Sequence, residues 1–451
     1  MSRFALLFPA LLLACSAGRQ DGDPAPLGDA STDDGSLGDV SLDDGGSTLD
    51  VLLDEDGGGS PPTCKGLQCK QVKCPDGTTT TTITGTVFNP AKTDPLYNAV
   101  VYVPNAPVDA FKPGVTCEKC GVASGEPIVS ALSGSDGKFR LENVPVGDNI
   151  PLVIQIGRWR RQVVIPKIEA CTNNAVGPDL TRLPKNQKEG DIPLTAIVTS
   201  TYDPTECILR KIGIDDSEFT VNTGKGRIHI YHGNGETLGA STPAGPALWG
   251  DLATLKKYDL VAFPCSSVAT DAPSKQNVVN YADAGGRVFA TDLSYPWVDA
   301  SAPTPWNGAA TWGSGSTTNP FSIDTTFPKG KALAEWLQKV GATTTLGQIN
   351  LTGTFARSTG VLGATQRWIS NSSTVQHFTF NAPVGKPAES QCGRVVYSSF
   401  HIASGGGSGT FPASCTTAAL TPQEKVLEFM LFDLASCVLT DKEVPKPPPV
   451  K

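Results

Sequence analysis

Cysteine usage places the strongest constraint on what this chain can fold into. The chain has 451 residues and twelve cysteines, and so many spaced thiols favour an oxidising compartment in which they pair as disulfides. Cys15 ends an apolar leader and is set apart, and eleven cysteines follow it, at positions 64, 69, 74, 117, 120, 171, 207, 265, 392, 415 and 437. Because eleven is odd, at least one thiol is free or pairs with another chain. We predict that Cys265 is free, because it follows the apolar run 260–264.

The cysteines at 64, 69, 74, 117 and 120 admit a second interpretation, a zinc site. Two four-residue gaps and one CxxC pair separate them, however, and this spacing fits no standard zinc pattern. In an exported chain such cysteines are more often disulfide-bonded, so we expect disulfides here.

The beginning of the chain reads as an export signal. Arg3 precedes the apolar run 4–14, which is too short to span a bilayer as a helix and predicts a cleaved signal peptide, 1–14. Leu12-Leu13-Ala14-Cys15 resembles a lipobox, in which Cys15 is lipidated. The alternative is an ordinary signal with an accidental cysteine. A multi-chain lipid anchor holds a protein at a membrane without a transmembrane helix, and Ser16 resembles the outer-membrane sorting pattern. We therefore expect a lipoprotein of the cell envelope, in the outer membrane.

The acidity of the chain is concentrated behind the leader. Between residues 16 and 62 there are twelve acidic residues and one arginine, whereas the whole chain has a formal net charge of −8. Such an acidic, glycine-rich segment buries little apolar surface, so we predict that 15–62 is a disordered tether. The remainder is nearly balanced in charge and has no basic face, which argues against nucleic-acid binding.

Residues 63–184 read as an all-β body. Short β-branched or alternating runs are separated by Asn, Pro, Gly and Asp, and they predict strands at 80–88, 99–103, 128–132, 138–141, 151–156 and 161–165. The runs 83–87, 99–103 and 135–141, with 144–147, resemble a carboxypeptidase-regulatory-like (Cna-B-like) domain. That resemblance implies a prealbumin-like β-sandwich used as a stalk or binding module, without catalysis of its own.

One basic and aromatic cluster, Arg158-Trp159-Arg160-Arg161, lies in this body. On a strand, Arg158 and Arg160 face one way and Trp159 the other. The simpler interpretation is a half-buried strand with a solvated charged face. The alternative is a cation-π or glycan-binding surface.

After residue 184 the sequence pattern changes from strands alone to strands that alternate with helices. We predict a connector at 185–225 with a helix near 207–212, an α/β domain at 226–440, and a Pro-rich tail at 441–451. In that domain, strands are predicted at 227–231, 258–263, 287–291, 346–351, 375–380 and 393–400, and helices at 247–255, 274–284, 329–340 and 421–437. This alternation predicts a doubly wound, flavodoxin-like domain with a largely parallel sheet. The Gly- and Trp-rich stretch 301–321 is predicted to be a long surface insertion.

Three pieces of this domain, 257–265, 281–289 and 393–401, resemble the class I glutamine-amidotransferase-like fold, especially its ThuA-like branch. The resemblance implies a cysteine on a Gly-x-Cys-x-Gly elbow and a His-x-Glu pair. This chain has Asp292 at the elbow, between Thr291 and Leu293, and Ala403 two residues after His401. The amidase chemistry of the family is therefore not expected, and the domain is interpreted as catalytically degenerate.

Open α/β sheets bind ligands at the carboxyl ends of their strands. The candidate residues at these ends are His232 and Asn234, Cys265, Asp292 and Ser294, and His401. A histidine, an aspartate and a cysteine or serine at one edge are also the residue types that acyl transfer needs as base, orienting acid and nucleophile. The four histidines have no metal-site spacing, so neither a metal nor a cofactor is predicted.

We weighed three classes of function. The first is a binding or scaffold lipoprotein whose partner is an envelope polysaccharide or another surface protein. The second is a ThuA-like hydrolase or carbohydrate-modifying enzyme that uses Asp292, His401 and Cys265; a separation of Asp292 from His401 above about 8 Å would exclude it. The third is a purely structural envelope protein, which would have no concave pocket and a contiguous exposed apolar patch.

Overall fold

The structure, a computed structural model, describes residues 64–117, 120–402 and 407–450. The predicted signal peptide, the lipidation site at Cys15 and the acidic tether lie outside the described residues. Across the part of the chain that is described, no helix combines the length and the apolar character needed to cross a bilayer.

Short alternating runs build the N-terminal body. Its strands are β1 (Thr82–Thr86), β2 (Val100–Pro104), β3 (Pro127–Leu132), β4 (Lys138–Glu142), β5 (Gly147–Ile156), β6 (Trp159–Ile168) and β7 (Asn173–Ala175). They form two sheets, in the orders β4-β1-β7 and β3-β2-β5-β6. In β4, Phe139 and Leu141 are buried and their neighbours are exposed, as the period of a half-buried strand requires. The predicted β-sandwich is confirmed; the short β7, which pairs in parallel with β1, was not predicted.

The second body is a mixed α/β layer structure. Its strands are β8 (Thr195–Thr199), β9 (Phe219–Thr220), β10 (Ile228–His232), β11 (Leu260–Phe263), β12 (Arg287–Thr291), β13 (Ala310–Trp312), β14 (Phe321–Ile323), β15 (Gln348–Ile349), β16 (Ser358–Val361), β17 (Gln366–Ser370), β18 (Val375–Ala382) and β19 (Gly393–Ser398). The helices are α1 (Pro178–Thr181), α2 (Thr205–Lys211), α3 (Pro246–Trp249), α4 (Leu252–Leu255), α5 (Ala272–Asp283), α6 (Pro328–Lys339) and α7 (Pro422–Ala435). One sheet runs β15-β14-β17-β18-β19-β12-β11-β8-β10-β9, and β13 and β16 attach to it through β18.

The sheet has a parallel and an antiparallel half. In the sheet order, the strands β9, β10, β8, β11, β12 and β19 each pair in parallel with the next. From β19 onward the pairs β19–β18, β18–β17, β17–β14 and β14–β15 are antiparallel. The interior strand β8 lies within 185–225, where a connector is predicted. Its sequence, Thr-Ala-Ile-Val-Thr, is short and buried throughout, so it shows no alternation by which it could be recognised.

Successive residues of the parallel strands point into two different apolar cores. On β8, Ile197 contributes to the core that contains α6, α7 and the sandwich, whereas Ala196 and Val198 contribute to the core that contains α5. Burial of both faces explains the near-continuous apolar runs of these strands.

Two predictions about local structure need correction. The predicted helix 247–255 is two short helices, α3 and α4, because Gly250 ends the first and the Asp251 carboxylate caps the second. The stretch 301–321 is not a surface insertion throughout. Trp306 is fully buried and packs against Phe380, because so large a ring is more stable in the core than in water.

The two bodies share one core. Trp159 packs against Phe432 of α7 with ring centroids 5.7 Å apart, and the Trp336 indole N–H donates to the Pro95 carbonyl at 2.6 Å. The predicted solvated face of β6 is wrong. Arg158 is buried and paired with Asp259 at 2.7 Å, and Arg160 lies 4.1 Å from the Phe111 ring centroid and pairs with Asp191. The α/β domain supplies the carboxylate that allows Arg158 to be buried there.

Five disulfides crosslink the described residues: Cys64–Cys69, Cys74–Cys171, Cys117–Cys392, Cys120–Cys437 and Cys207–Cys415. The zinc alternative for the cysteines at 64, 69, 74, 117 and 120 is therefore wrong. Among the described cysteines Cys265 is the free one, as predicted, and it is buried. This disulfide content indicates an extracytoplasmic or envelope protein.

Candidate functional site

The parallel strands place their carboxyl ends at one edge of the sheet. Polar residues follow each end: Asp203 after β8, Glu236 after β10, Cys265 after β11, Asp292 after β12 and His401 after β19. This edge is where open α/β sheets form ligand crevices.

Three of the predicted residues meet there. The Cys265 thiol donates to Asp292 Oδ2 at 3.4 Å, and His401 Nε2 lies 3.8 Å from the same oxygen. The Sγ, Oδ2 and Nε2 atoms all lie within 4.8 Å of one another. The separation that would have excluded the enzyme hypothesis is therefore not found.

Asp292 occupies a strained turn between β12 and a short 3-10 helix, Asp292–Trp297. Its φ of +35° lies in the left-handed region, which is costly for a residue with a Cβ. The Tyr397 hydroxyl donates to the Asp292 carbonyl at 2.9 Å and helps to hold this turn. The turn after β12 therefore presents the Asp292 carboxylate, with neither a cysteine nor flanking glycines in 290–294.

Arg357 completes the cluster and was not predicted. Its Nε donates to Asp292 Oδ1 at 2.9 Å, and its guanidinium carbon lies 5.7 Å from the Tyr295 ring centroid and 5.4 Å from that of Phe355. The Phe355 ring stacks on the His401 imidazole at 5.4 Å. Arg357 precedes β16 in the antiparallel half, and no sequence pattern links that half to the strand ends.

The electrostatics argue against a thiolate nucleophile. Cys265 is 2% exposed, and burial, reinforced by the negative charge of Asp292, raises the pKa of its thiol to about 12. The thiol is therefore protonated near neutral pH and acts as a hydrogen-bond donor. His401 Nδ1 lies 2.8 Å from the Ile402 carbonyl, so Nδ1 carries a proton and Nε2 points towards Asp292.

A second layer of buried acids lies behind the cluster. Burial raises the pKa of Asp203, which accepts hydrogen bonds from the Ile402 N–H at 3.1 Å and from the Thr291 hydroxyl. Glu206 is fully buried, and within the described residues neither of its carboxylate oxygens has a hydrogen-bond partner. Burial raises the pKa of Glu206 to about 8, with smaller contributions from Asp203 and Glu236.

The other predicted residues have local roles. Ser294 is buried, donates to the Pro264 carbonyl at 2.6 Å and accepts from the Ser267 N–H at 3.0 Å, so it joins two strand ends. Asn234 accepts from the Thr201 N–H at 2.9 Å. His232 ends β10 and, through its backbone, pairs with the loop at Pro243. The described cation-ligand cluster does not include these three residues.

A large cavity lies elsewhere in the described residues. It has a volume of about 1130 Å³ and lies between the sandwich, the loop around Cys117 and the tail at Val444. The arginines that line it, Arg158 and Arg160, are buried as well as paired with carboxylates, whereas Arg357 at the strand ends is partly exposed. The cavity therefore offers a concave surface that is separate from the strand-end cluster.

Comparisons with known proteins identify no family for the chain. No family model matches the sequence, and no curated protein matches it. A solved type II cohesin-X-dockerin complex from Acetivibrio cellulolyticus aligns at 13% identity over 31% of this chain and 75% of that chain, with a TM-score of 0.15. A cytoplasmic protein from Salmonella typhimurium aligns at 10% identity over 48% of this chain and 90% of that chain, with a TM-score of 0.27. These likenesses are too low to support an assignment of fold or function, which rests on the chain's own geometry.

Proposed function

We propose that this chain is a membrane-anchored envelope lipoprotein that binds an acidic envelope polysaccharide at the strand-end crevice. In this proposal Cys15 carries the lipid, the N-terminal body is a Cna-B-like sandwich, and the second body is a catalytically degenerate, ThuA-like α/β domain. The order β10-β8-β11-β12-β19 supports that assignment, because it is the 2-1-3-4-5 order of flavodoxin-like sheets.

The observation that carries the proposal is the chemistry of a wall of partly exposed side chains beside the strand-end cluster. Arg357 lies between Tyr295 and Phe355, and the Tyr295 ring also lies against Trp312 at 5.5 Å. All four side chains are partly exposed. A guanidinium pairs with carboxylates, and aromatic rings pack against the apolar faces of sugars, so the wall fits a carboxylated glycan.

The absence of an activated nucleophile favours binding over acyl transfer. Asp292 accepts hydrogen bonds from Arg357 and Cys265, and the high pKa of Cys265 keeps its thiol protonated. A thiol of this kind has too little thiolate to attack a carbonyl at neutral pH.

The test is a binding measurement on the full chain in detergent, against uronate-containing and neutral envelope polysaccharides. We expect the wild type to bind the acidic polymers, and Arg357→Met to weaken binding by at least about tenfold, the loss of one charge-assisted contact. Arg140→Met, on the exposed face of β4, is the control and should bind as the wild type does. Equal binding by Arg357→Met, or preference for neutral polymers, would refute the proposal.

The hydrolase alternative retains one specific observation, the 3.8 Å approach of His401 Nε2 to Asp292 Oδ2. The same polysaccharides, incubated with the wild type and with Asp292→Asn, test it. New reducing ends produced by the wild type and absent with the variant would establish the enzyme, and intact polymer with both would exclude it for these substrates. If no polymer binds, the scaffold class becomes the better description.

A further inference from the structure

The strand-end cluster contains three different metal-ligating atoms from three different strand ends. Cys265, Asp292 and His401 offer a sulfur, an oxygen and a nitrogen, and these atoms lie within 4.8 Å of one another. Asp292 lies 27 positions after Cys265 and 109 positions before His401. The order of the strands in the sheet therefore brings the three residues together.

The distances fit a tetrahedral metal ion. Zinc bonds of about 2.0–2.3 Å at tetrahedral angles place ligand atoms about 3.3–3.8 Å apart. The two measured distances to Asp292 Oδ2 are 3.4 Å from Cys265 Sγ and 3.8 Å from His401 Nε2. The third distance, between Cys265 Sγ and His401 Nε2, is at most 4.8 Å and would shorten when the metal binds.

The surroundings orient two of the ligands as a metal site requires. His401 Nδ1 lies 2.8 Å from the Ile402 carbonyl, which places the Nδ1 proton there and leaves the Nε2 lone pair facing the cluster. Arg357 binds Asp292 Oδ1, which leaves Oδ2 as the oxygen that faces Cys265 and His401. Gln423 donates to the His401 carbonyl at 2.6 Å and holds the backbone at this strand end.

Buried carboxyl groups also lie at and behind the cluster. Asp203 is buried directly behind the cluster, where its carboxylate accepts from the Ile402 N–H, and Asp292 is itself buried. Arg357 contributes one opposing positive charge, but it is partly exposed and engages only the outer oxygen of Asp292.

We infer that Cys265, Asp292 and His401 form a three-ligand site for a divalent transition-metal ion of the zinc class. A fourth position, left to solvent or ligand, would face the crevice, as in three-ligand zinc sites that act on or bind small groups. The sequence predicts no metal here because the ligands share no spacing motif. The inference does not depend on which polymer, if any, the crevice binds.

The experiment uses the full chain, freed of metal by a chelator, with Zn²⁺ and Co²⁺ alone as probes. We expect one equivalent of either ion to bind, and Co²⁺ to give the intense near-ultraviolet band of a thiolate ligand together with tetrahedral visible bands. Cys265 is the free thiol of the described body, so this band reports directly on it.

Three variants and one control make the outcome decisive. Cys265→Ser should remove the thiolate band, and His401→Gln and Asp292→Asn should weaken Zn²⁺ binding by at least about 100-fold. His232→Gln, at the end of neighbouring β10, should bind as the wild type does. Circular dichroism and the thermal midpoint of each metal-free variant establish that it is folded.

A thermal measurement provides a second readout. Zn²⁺ should raise the unfolding midpoint of the wild type and of His232→Gln but not that of His401→Gln. Lack of a thiolate band and of any midpoint shift in the wild type would overturn the inference, as would unchanged binding in Cys265→Ser and His401→Gln. Polysaccharide binding is scored separately, so failure of either proposal is visible without the other.

Discussion

The strand β19 begins beside one buried cluster of charges and ends beside another, and the two clusters differ in how their charges are balanced. At its start, Arg394 pairs with Asp441 at 2.7 Å and with Asp433 at 3.0 Å, and Lys329 pairs with Asp433 at 2.7 Å. Two buried cations thus face two buried carboxylates. Beyond its end, at His401, the buried acids outnumber the basic groups.

The carboxyl-end cluster leaves binding capacity unused. Glu206 has no hydrogen-bond partner among the described residues, and Cys265 and His401 both approach a single oxygen of Asp292. A compensated cluster fixes packing, whereas an uncompensated one can take up a proton, a cation or a ligand. The two clusters therefore differ in kind: at one end of β19 the buried charges are paired, and at the other end a buried acid with a raised pKa, Glu206, lies behind the cluster.

The largest expected effect is at the compensated end. Arg394→Met leaves two buried carboxylates with only Lys329 between them, so the free energy of unfolding should fall by about 3–5 kcal/mol. Denaturant unfolding with the disulfides intact measures it. The control is Arg140→Met in the exposed pair with Glu142, which should cost less than about 1 kcal/mol. Equal losses in the two variants would remove the contrast between the clusters.

The next effect depends on pH and concerns Glu206. Its native pKa of about 8 lies above the ordinary value of 4.5, so between these values the native state holds a proton that the unfolded state has lost. The free energy of unfolding of the wild type therefore decreases as pH rises through this window. Glu206→Gln carries no such penalty, and its advantage in free energy of unfolding should grow by about 2.5 kcal/mol from pH 5 to pH 7.

Denaturant unfolding at several pH values measures this advantage. The matched control is Glu142→Gln, since Glu142 is exposed. An advantage of Glu206→Gln that stays constant with pH would mean that the buried carboxyl does not hold its proton.

A smaller effect is expected at the elbow. Asp292→Asn loses the ion pair with the partly exposed Arg357, but asparagine tolerates a positive φ better than most residues. The free energy of unfolding should therefore change by less than about 1 kcal/mol. The same substitution at the other end, Asp433→Asn, should cost several times more, because Lys329 and Arg394 are both fully buried. Comparable losses in differential scanning calorimetry would contradict this ranking.

The smallest effect is on thiol reactivity. With metal removed by a chelator, native Cys265 should resist alkylation at pH 8, because its pKa of about 12 and its burial both suppress the thiolate. Asp292→Asn removes only the secondary, Coulombic cause, so the rate measured by mass spectrometry should rise by no more than about tenfold. The unfolded chain is the positive control, and rapid labelling of the native wild type would show that the thiol is accessible.

Much of the architecture follows from local patterns. Alternation in runs such as 138–141 predicted the sandwich strands, and the odd cysteine count with an apolar flank identified Cys265 as the free thiol, because both features depend on neighbouring residues. Strand β8 and the buried Trp306 escaped prediction, because a short strand buried on both faces and a tryptophan in a Gly-rich stretch have no local period.

The sequence by itself determined the cysteine-rich character, the two kinds of secondary structure and the presence of Cys265, Asp292 and His401 at strand ends; the export leader stays a prediction. Only the tertiary structure decided that these three side chains converge and that Arg357, 65 positions from Asp292, holds the carboxylate. It also decided that the buried Glu206 carboxyl has no hydrogen-bond partner among the residues that the structure describes. The physical reason is that local sequence sets backbone preference and burial period, whereas strand order and packing set which distant charges meet.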